Sequence, residues 1–498
     1  MSRTPKPPRK HTGVIIVMVI LMLLFIAGSA LMIKLSIDLA AEAPDLTDKP
    51  DVGFSGELLQ TDPTDPPETT VPDPVPEHVV STATVAATGD LLMHLPVINA
   101  CRETDGSYDF SPVFQYLKEY SSAADYAVAN LETTLYGTGK PYSGYPNFNC
   151  PDTIVDGAKE AGFDMLLTGN NHSFDTGFDG YIRTIQVVEE KGLQKLGTMD
   201  SPEDEKWTIQ EINGIKIGML SYTYETTTGT RGQYPALNGL PMYGASYEYV
   251  NCFRMAEPQP FFDEVKGYLA EMEAAGAEAT ILFIHWGTEY QLKQNSQQSA
   301  IAQGLCDLGI DVIIGGHPHV VQPVELLTSQ TDPNHKTVCL YSMGNAVSNQ
   351  RLGNLSAIQT AHTEDGVLFS VTFEKYSDGT VYLAGVDLIP TWVNLSYPTG
   401  GAEYTILPLD FDRVEEWKDM FNINEATVST ARNSYSRTMA IVGAGLEASQ
   451  TWLAQAKEDR EEYYYNLAWH PEMFETQPTE TVPETVPETL PEETAAAA

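Results

Sequence analysis

The sequence predicts an α/β fold, a mostly parallel sheet flanked by helices, standing behind a membrane-spanning helix and an extended stalk. Three observations predict it. Between about Ser81 and Leu407, segments of strand character alternate with segments of helical period, the order that places helices on the faces of a sheet. Three of the strand segments, "DMLLTG", "TILFIH" and "DVIIGG", are almost continuously apolar, as strands buried on both faces are. Near the N-terminus, a basic tail joins an unbroken apolar run.

Residues 1–12 carry Arg3, Lys6, Arg9 and Lys10 and no acid. The segment 13–34 follows, and from Gly13 to Ile33 it is Val, Ile, Leu, Met, Phe and Ala with little else. A helix of about 20 apolar residues matches the hydrocarbon thickness of a bilayer, and a cleavable signal core has about 7–15. A basic flank stays cytoplasmic. The expectation is therefore a single-pass membrane protein with its N-terminus inside and its bulk outside the cytoplasm. The alternative is a secretory signal cleaved near Leu39–Ala43. Residues 35–80 form a linker whose stretch "TDPTDPPETTVPDPVPE" has no apolar period and reads as extended. Residues 471–498, with the repeat "TVPETVPETLPEET", read as a disordered acidic tail.

In between, residues 81–408 are expected to fold as one domain. "TATVAATGD" is a strand, "YDFSPVFQYLKEYSSA" a helix and "DYAVANLE" a strand. "PDTIVDGAKEAG" starts with Pro and ends with Gly, as helices do. "FDMLLTGNNH" is a strand running into a loop, and "GYIRTIQVVEEKG" is a helix. "GIKIGMLSYT", "EATILFIHWG" and "IDVIIGGHPHV" are strands, separated by the helices "FFDEVKGYLAEMEAAGA" and "QQSAIAQGLCDLG". "TVCLYSMGN", "GVLFSVTFEKY" and "TVYLAGVDLIPTWV" suggest an antiparallel continuation. Residues 409–470, with "RVEEWKDMF" and "SQTWLAQAKEDREEYYYNLAW", suggest a small helical C-terminal appendage.

A net charge of −40 repels nucleic acid. It also repels free polyanions, so a phosphate or polyglutamate ligand requires a local cation, which a bound metal supplies. The five cysteines form no CxxC pair, which argues against a thiolate zinc site. Buried free thiols are the default expectation.

Polar residues collect where the predicted strands end, the ligand-binding edge of open α/β sheets. The first strand ends in Asp90, with His94 beyond it. The second ends in Asn130-Leu131-Glu132, and the third in Asn170-Asn171-His172, with Asp175 close after. Others end in His285 (with Glu289 beyond), in His317-Pro318-His319 and in Gly344-Asn345. Any one such residue is more often a cap or a satisfied core group. Five strand ends that each deliver a His or an acid point to a shared site. If His-Pro-His is extended, His317 and His319 face the same way and could chelate a metal. Imidazole with carboxylate suits zinc, manganese or iron, and seven candidate ligands exceed one tetrahedral site, so one or two divalent ions are expected.

The pieces "GDLLMH", "ANLETTL", "TGNNHSFDTG", "IHWGTEY", "GGHPHVVQPVE" and "YSMGNAV" together resemble the CapA family of capsule-synthesis proteins. That family is associated with poly-γ-glutamate biosynthesis and related to calcineurin-like metallophosphatases. The resemblance implies a four-layer αββα sandwich with metals at the strand ends. Carried over by motif, Asp90, Glu132, Asn171, His285, His317 and His319 would be metal ligands. His172 would be the catalytic acid that protonates a leaving oxygen. Two positions depart from the metallophosphatase pattern: Leu92 stands where Asp-x-His would place a histidine, and Glu132 replaces an Asp. The resemblance also implies membrane-embedded polymer synthase or export proteins and an anionic surface polymer as partners. Two functions remain open on the sequence: a metal-dependent hydrolase or transferase acting on a phosphoester or an amide-linked polymer, and a non-catalytic factor that binds or guides the polymer. A metal-free form of the fold is a third.

Overall fold

The computed structural model describes residues 75–474 apart from 229–231, 355–358, 399–400 and seven positions within 414–422. The apolar run 13–34, the linker as far as residue 74, the tail from residue 475 and most of "RVEEWKDMF" lie outside the described residues. Among the described residues, no helix is long and apolar enough to cross a membrane.

The first half alternates as expected. Strands β1 (Val79–Leu91), β2 (Tyr126–Asn130), β3 (Met165–Leu167) and β4 (Gln194–Leu196) lie parallel and side by side. Between them run helices α1 (Leu95–Ala100), α2 (Ser111–Phe114), α3 (Lys118–Ser121), α4 (Thr153–Glu160) and α5 (Phe178–Glu190). The single helix expected over 108–123 is two short turns instead. Asp109 Oδ1 accepts from the Ser111 N–H at 2.9 Å and Pro112 occupies the first turn, so the helix cannot begin earlier.

The second half forms another sheet. Strands β5 (Trp207–Ile212) and β6 (Ile215–Tyr224) make a hairpin, and a small separate sheet follows from β7 (Thr226–Thr228), β8 (Tyr234–Leu237) and β9 (Leu240–Pro241). The chain returns through β10 (Cys252–Phe253), helix α6 (Gln259–Ala274), β11 (Ala279–His285), helix α7 (Ser296–Asp307) and β12 (Val312–Gly316). Strands β13 (Val324–Thr328) and β14 (Lys336–Leu340) close that sheet in the order β10-β6-β11-β12-β14-β13. Then β15 (Asn345–Val347) pairs with β1, and β16 (Asp365–Tyr376), β17 (Val381–Ser396) and β18 (Glu403–Pro408) extend the first sheet antiparallel. The protein is thus mixed α/β with two mixed sheets.

The period of two along each strand divides the core into layers. Ala83, Val85 and Ala87 of β1 join Ile217 and Met219 of β6, Ile281 and Phe283 of β11 and Val312 and Ile314 of β12 in one cluster between the sheets. Ala86 and Leu91 face the other way, against residues of α1, α2 and α4. Leu282, Ile284 and Ile313 pack outward against α6 and α7. Consequently the C-terminal ends of β1, β2, β3, β11 and β12 converge on one place.

The C-terminal segment is larger than a small appendage. Helix α8 (Glu425–Trp469) has 45 residues and begins at Asn424, whose side chain accepts from the Thr427 N–H. Its Val442, Leu446 and Leu453 belong to the inter-sheet core. Gly445 permits this docking, since a Cβ there would lie 1.8 Å from the Val324 carbonyl oxygen. Ser434 and Arg437 bind the buried Asp365 carboxylate at 2.5 and 2.6 Å. All five cysteines are buried and free, as expected.

Candidate metal centre

Glu132 stands at the middle of the converging strand ends and is fully buried. The Nε2 atoms of His285, His319 and His172 lie 3.5, 3.8 and 3.9 Å from its Oε1. Those separations are too long for hydrogen bonds. Among the described residues, neither carboxylate oxygen of Glu132 has a hydrogen-bond partner, and neither does the buried Nδ1 of His317. Buried polar atoms without partners are costly. Here they surround one small volume. Ligand atoms about 2.0–2.2 Å from a common ion sit roughly 3–3.5 Å from one another. The residues present therefore fit a divalent cation, with a few tenths of an ångström to close at His319, while His172 belongs to neither set of donors.

Two sets of donors share Glu132. Glu132, His285 and His317 form one, and Asp90, Glu132 and His319 the other, with the ligand atoms of each set within 4.8 Å of one another. Asn171 joins the first set, its Oδ1 lying 2.8 Å from His285 Nε2. In the second set, His319 Nδ1 faces two acceptors, Asp90 Oδ2 at 3.0 Å and Asn345 Oδ1 at 3.2 Å. Nδ1 therefore carries the proton and the Nε2 lone pair is turned toward Glu132. The other Asp90 oxygen accepts from Asn130 Nδ2 at 2.7 Å.

The backbone of the His-Pro-His loop is not extended. His317 has φ 97° and His319 φ 55°, a region that costs a non-glycine residue about 1–3 kcal/mol. The two imidazoles do not chelate one ion as an extended segment would have them do. They diverge, one into each set. The preceding glycines are required by close approach: a Cβ on Gly315 would lie 2.0 Å from the Tyr341 carbonyl oxygen, and one on Gly316 would crowd Asp90 and His285.

Electrostatics prepare the centre for a cation. Burial and the neighbouring Asp90 carboxylate push Glu132 well above the usual carboxylate range. Burial would raise Asp90 too, but the His319 hydrogen bond and charge outweigh it and hold this carboxyl low. Burial drives His285 down to about 3 and His317 well below its ordinary value. Both imidazoles are thus neutral, the form that binds metal.

His172 is built differently. Its Nδ1 donates to Asp175 Oδ2 at 2.7 Å, leaving Nε2 to face Glu132. The loop is fixed by Asn170, whose Oδ1 accepts from the His172 N–H at 3.1 Å. Phe148 packs edge-on against both His172 and His94. The structure thus gathers Asp90, Glu132, Asn171, His172, His285, His317 and His319. It does not bring in His94, whose Nδ1 accepts from the Asn349 N–H at 3.3 Å, or Glu289, which is exposed. Sequence reasoning gave no role to Asn130 and Asn345, although Asn130 ends β2 and Asn345 opens β15, both beside named candidates. It missed Asn238 entirely.

A family model described as "Bacterial capsule synthesis protein PGA_cap" matches residues 84–350, more than half of the chain and the whole of this centre. Capsule biosynthesis protein CapA of Bacillus anthracis is 26% identical over 346 residues, 68% of this chain and 74% of that protein. PGA biosynthesis protein CapA of Bacillus subtilis (strain 168) is 26% identical over 283 residues, 55% of this chain and 65% of that protein. Among solved structures, "Termus thermophilus Sulfate thiohydrolase SoxB in complex with glycerol" aligns over 72% of this chain and 60% of that chain, at 12% identity and a TM-score of 0.34.

Proposed function

The chain belongs to the PGA_cap family of bacterial capsule synthesis proteins, and from that premise we propose that it serves the making of a capsule or poly-γ-glutamate polymer through a metal-dependent hydrolase-like site. In this reading the fold is a metallophosphatase-like αββα sandwich, anchored through Gly13–Ile33 with its bulk outside the cytoplasm. Its partners are membrane-embedded synthase or export proteins and the anionic polymer itself.

One observation carries the reading. Glu132, buried and without hydrogen-bond partners among the described residues, faces the Nε2 atoms of three histidines at 3.5–3.9 Å. Asn171, His285 and His317 would hold one divalent ion with Glu132, and Asp90 and His319 a second. A bound ion of the manganese, zinc or iron kind supplies Lewis acidity toward a phosphoryl or acyl oxygen and makes water a nucleophile near neutral pH. It also supplies the local cation that a polyanion needs at a chain of net charge −40. The protein's own acid is His172. With Asp175 fixing Nδ1–H, its Nε2–H is directed inward to pass a proton to the leaving oxygen as the scissile bond breaks.

The test is metal analysis by mass spectrometry of the purified full chain beside a Glu132→Ala/His317→Ala double variant, with turnover of aryl phosphates measured on both. Stoichiometric metal in the wild type alone is the expected result. If both lack it, the metal reading fails.

A further inference from the structure

We propose that Asn238, at the tip of the small three-stranded sheet, is a positioning residue for the general acid His172. The inference rests on the hydrolase reading and commits it to phosphoester chemistry.

The chain leaves the second large sheet after β6 and rejoins it at β10, and among the described residues the strands β7–β8–β9 in between pair only with one another. The turn between β8 and β9 is Asn238-Gly239, with φ 47° and 70°. That is the two-residue hairpin turn Asn-Gly favours. The simplest account of Asn238 is that it forms this turn, and its side chain would then be free to point into solvent. Instead it reaches across to two other segments. Nδ2 donates to Asp175 Oδ1 at 3.0 Å and to the Pro146 carbonyl at 2.9 Å, and lies 3.3 Å from His172 Nδ1.

Asp175 is thereby held on both oxygens. Oδ2 takes the His172 Nδ1–H at 2.7 Å and the Phe148 N–H at 2.6 Å, and Oδ1 takes Asn238. A carboxylate bound on one oxygen alone can swing about its terminal bond. Bound on both, it fixes the plane of the imidazole and keeps Nε2 aimed at the centre. Partners one step removed from the reacting groups commonly govern activity by about 10- to 100-fold. The insertion thus closes over the acid side of the centre and completes it from a segment 66 residues away in sequence.

The test separates turn from side chain. Asn238→Gly keeps the left-handed turn and removes the amide, and Asn238→Asp also tolerates the turn but sets a carboxylate against Asp175. Full-length, metal-loaded protein is assayed on 4-nitrophenyl phosphate and phenyl phosphate. The phenolate of the second is the poorer leaving group and depends more on the proton from His172. Asn238→Gly is expected to lower kcat on phenyl phosphate about tenfold, and on 4-nitrophenyl phosphate by less. KM, metal content and Tm should be nearly unchanged. Asn238→Asp should lose more. Wild-type rates on both esters in Asn238→Gly, or an equal fall on both, would overturn the proposal. A metal-loaded wild type that turns over neither ester overturns the hydrolase reading, and this inference with it.

Discussion

On one side of Glu132 the centre gathers His285, His317 and Asn171, and on the other Asp90 and His319. On the first side His317 Nδ1 has no partner among the described residues, both imidazoles are held neutral by burial, and one hydrogen bond is already made, between His285 Nε2 and Asn171 Oδ1 at 2.8 Å. On the second, both Asp90 oxygens are already engaged, one by Asn130 and one by His319. No second imidazole joins them, because His94 is occupied elsewhere. The two sides share a carboxylate and a fold position yet differ in how much of their bonding capacity is unspent. A site whose ligands are buried and unsatisfied gains most from an ion. A site with more of its ligands already paired gains less, because the ion must displace more hydrogen bonds.

The largest expected effect comes from the residue the two sides share. Glu132→Gln should reduce bound metal to near zero and lower any turnover by more than about 100-fold, since it removes a ligand from both sets at once. It should also make the metal-free protein more stable at neutral pH, because the amide carries no charge for burial and the Asp90 carboxylate to disfavour. Melting curves with and without a chelator check both parts. Stoichiometric metal in this variant would remove Glu132 from the centre.

A smaller effect should separate the sides. His317→Ala is expected to abolish the tighter metal equivalent, and His319→Ala to spare it and lose only the weaker one. Dialysis against chelators of graded strength, followed by metal analysis, measures the order of loss. Equal stoichiometry and equal affinity in the two variants would mean that the sides are equivalent and that the hydrogen bonds on Asp90 are no handicap.

Much of this asymmetry lay beyond the sequence. The strand-end residues were legible because each closes an apolar run, and β1, β2, β3, β11 and β12 all deliver their ends to one edge. The division of the His-Pro-His pair was not, because it depends on φ values that neither histidine favours alone. Nor was the saturation of Asp90, which needs Asn130 from a neighbouring strand and His319 from the other sheet. Helix α8 was only half visible, since Gly443, Gly445 and a run of Ser and Thr weaken its helical signal. The structure needs Gly445 for contact with Val324. Asn238-Gly239 carried a plain turn signal, but nothing in sequence says that such a turn reaches a histidine 66 residues upstream.

The smallest effect sits at the edge of the weaker side. His94 is a ligand candidate by sequence but lies outside both donor sets. Burial, and then the charge of His319, lower its pKa from 6.5 to about 4. A folded pKa below the unfolded one means that the fold holds the ring neutral while the unfolded chain protonates first. The stability it contributes is therefore present above pH 6.5 and is lost as pH falls toward 4. The full shift would be worth roughly 3 kcal/mol at about 1.4 kcal/mol per unit. Partial exposure of the ring reduces this to about 1–2 kcal/mol. His94→Gln should keep the metal content of the wild type and lose less stability between pH 6.5 and 4, as read from chemical denaturation of the chelator-treated protein at each pH. Loss of a metal equivalent in His94→Gln would show the opposite. It would mean that the ring turns inward when an ion binds, and that the weaker side gains a second imidazole beside His319.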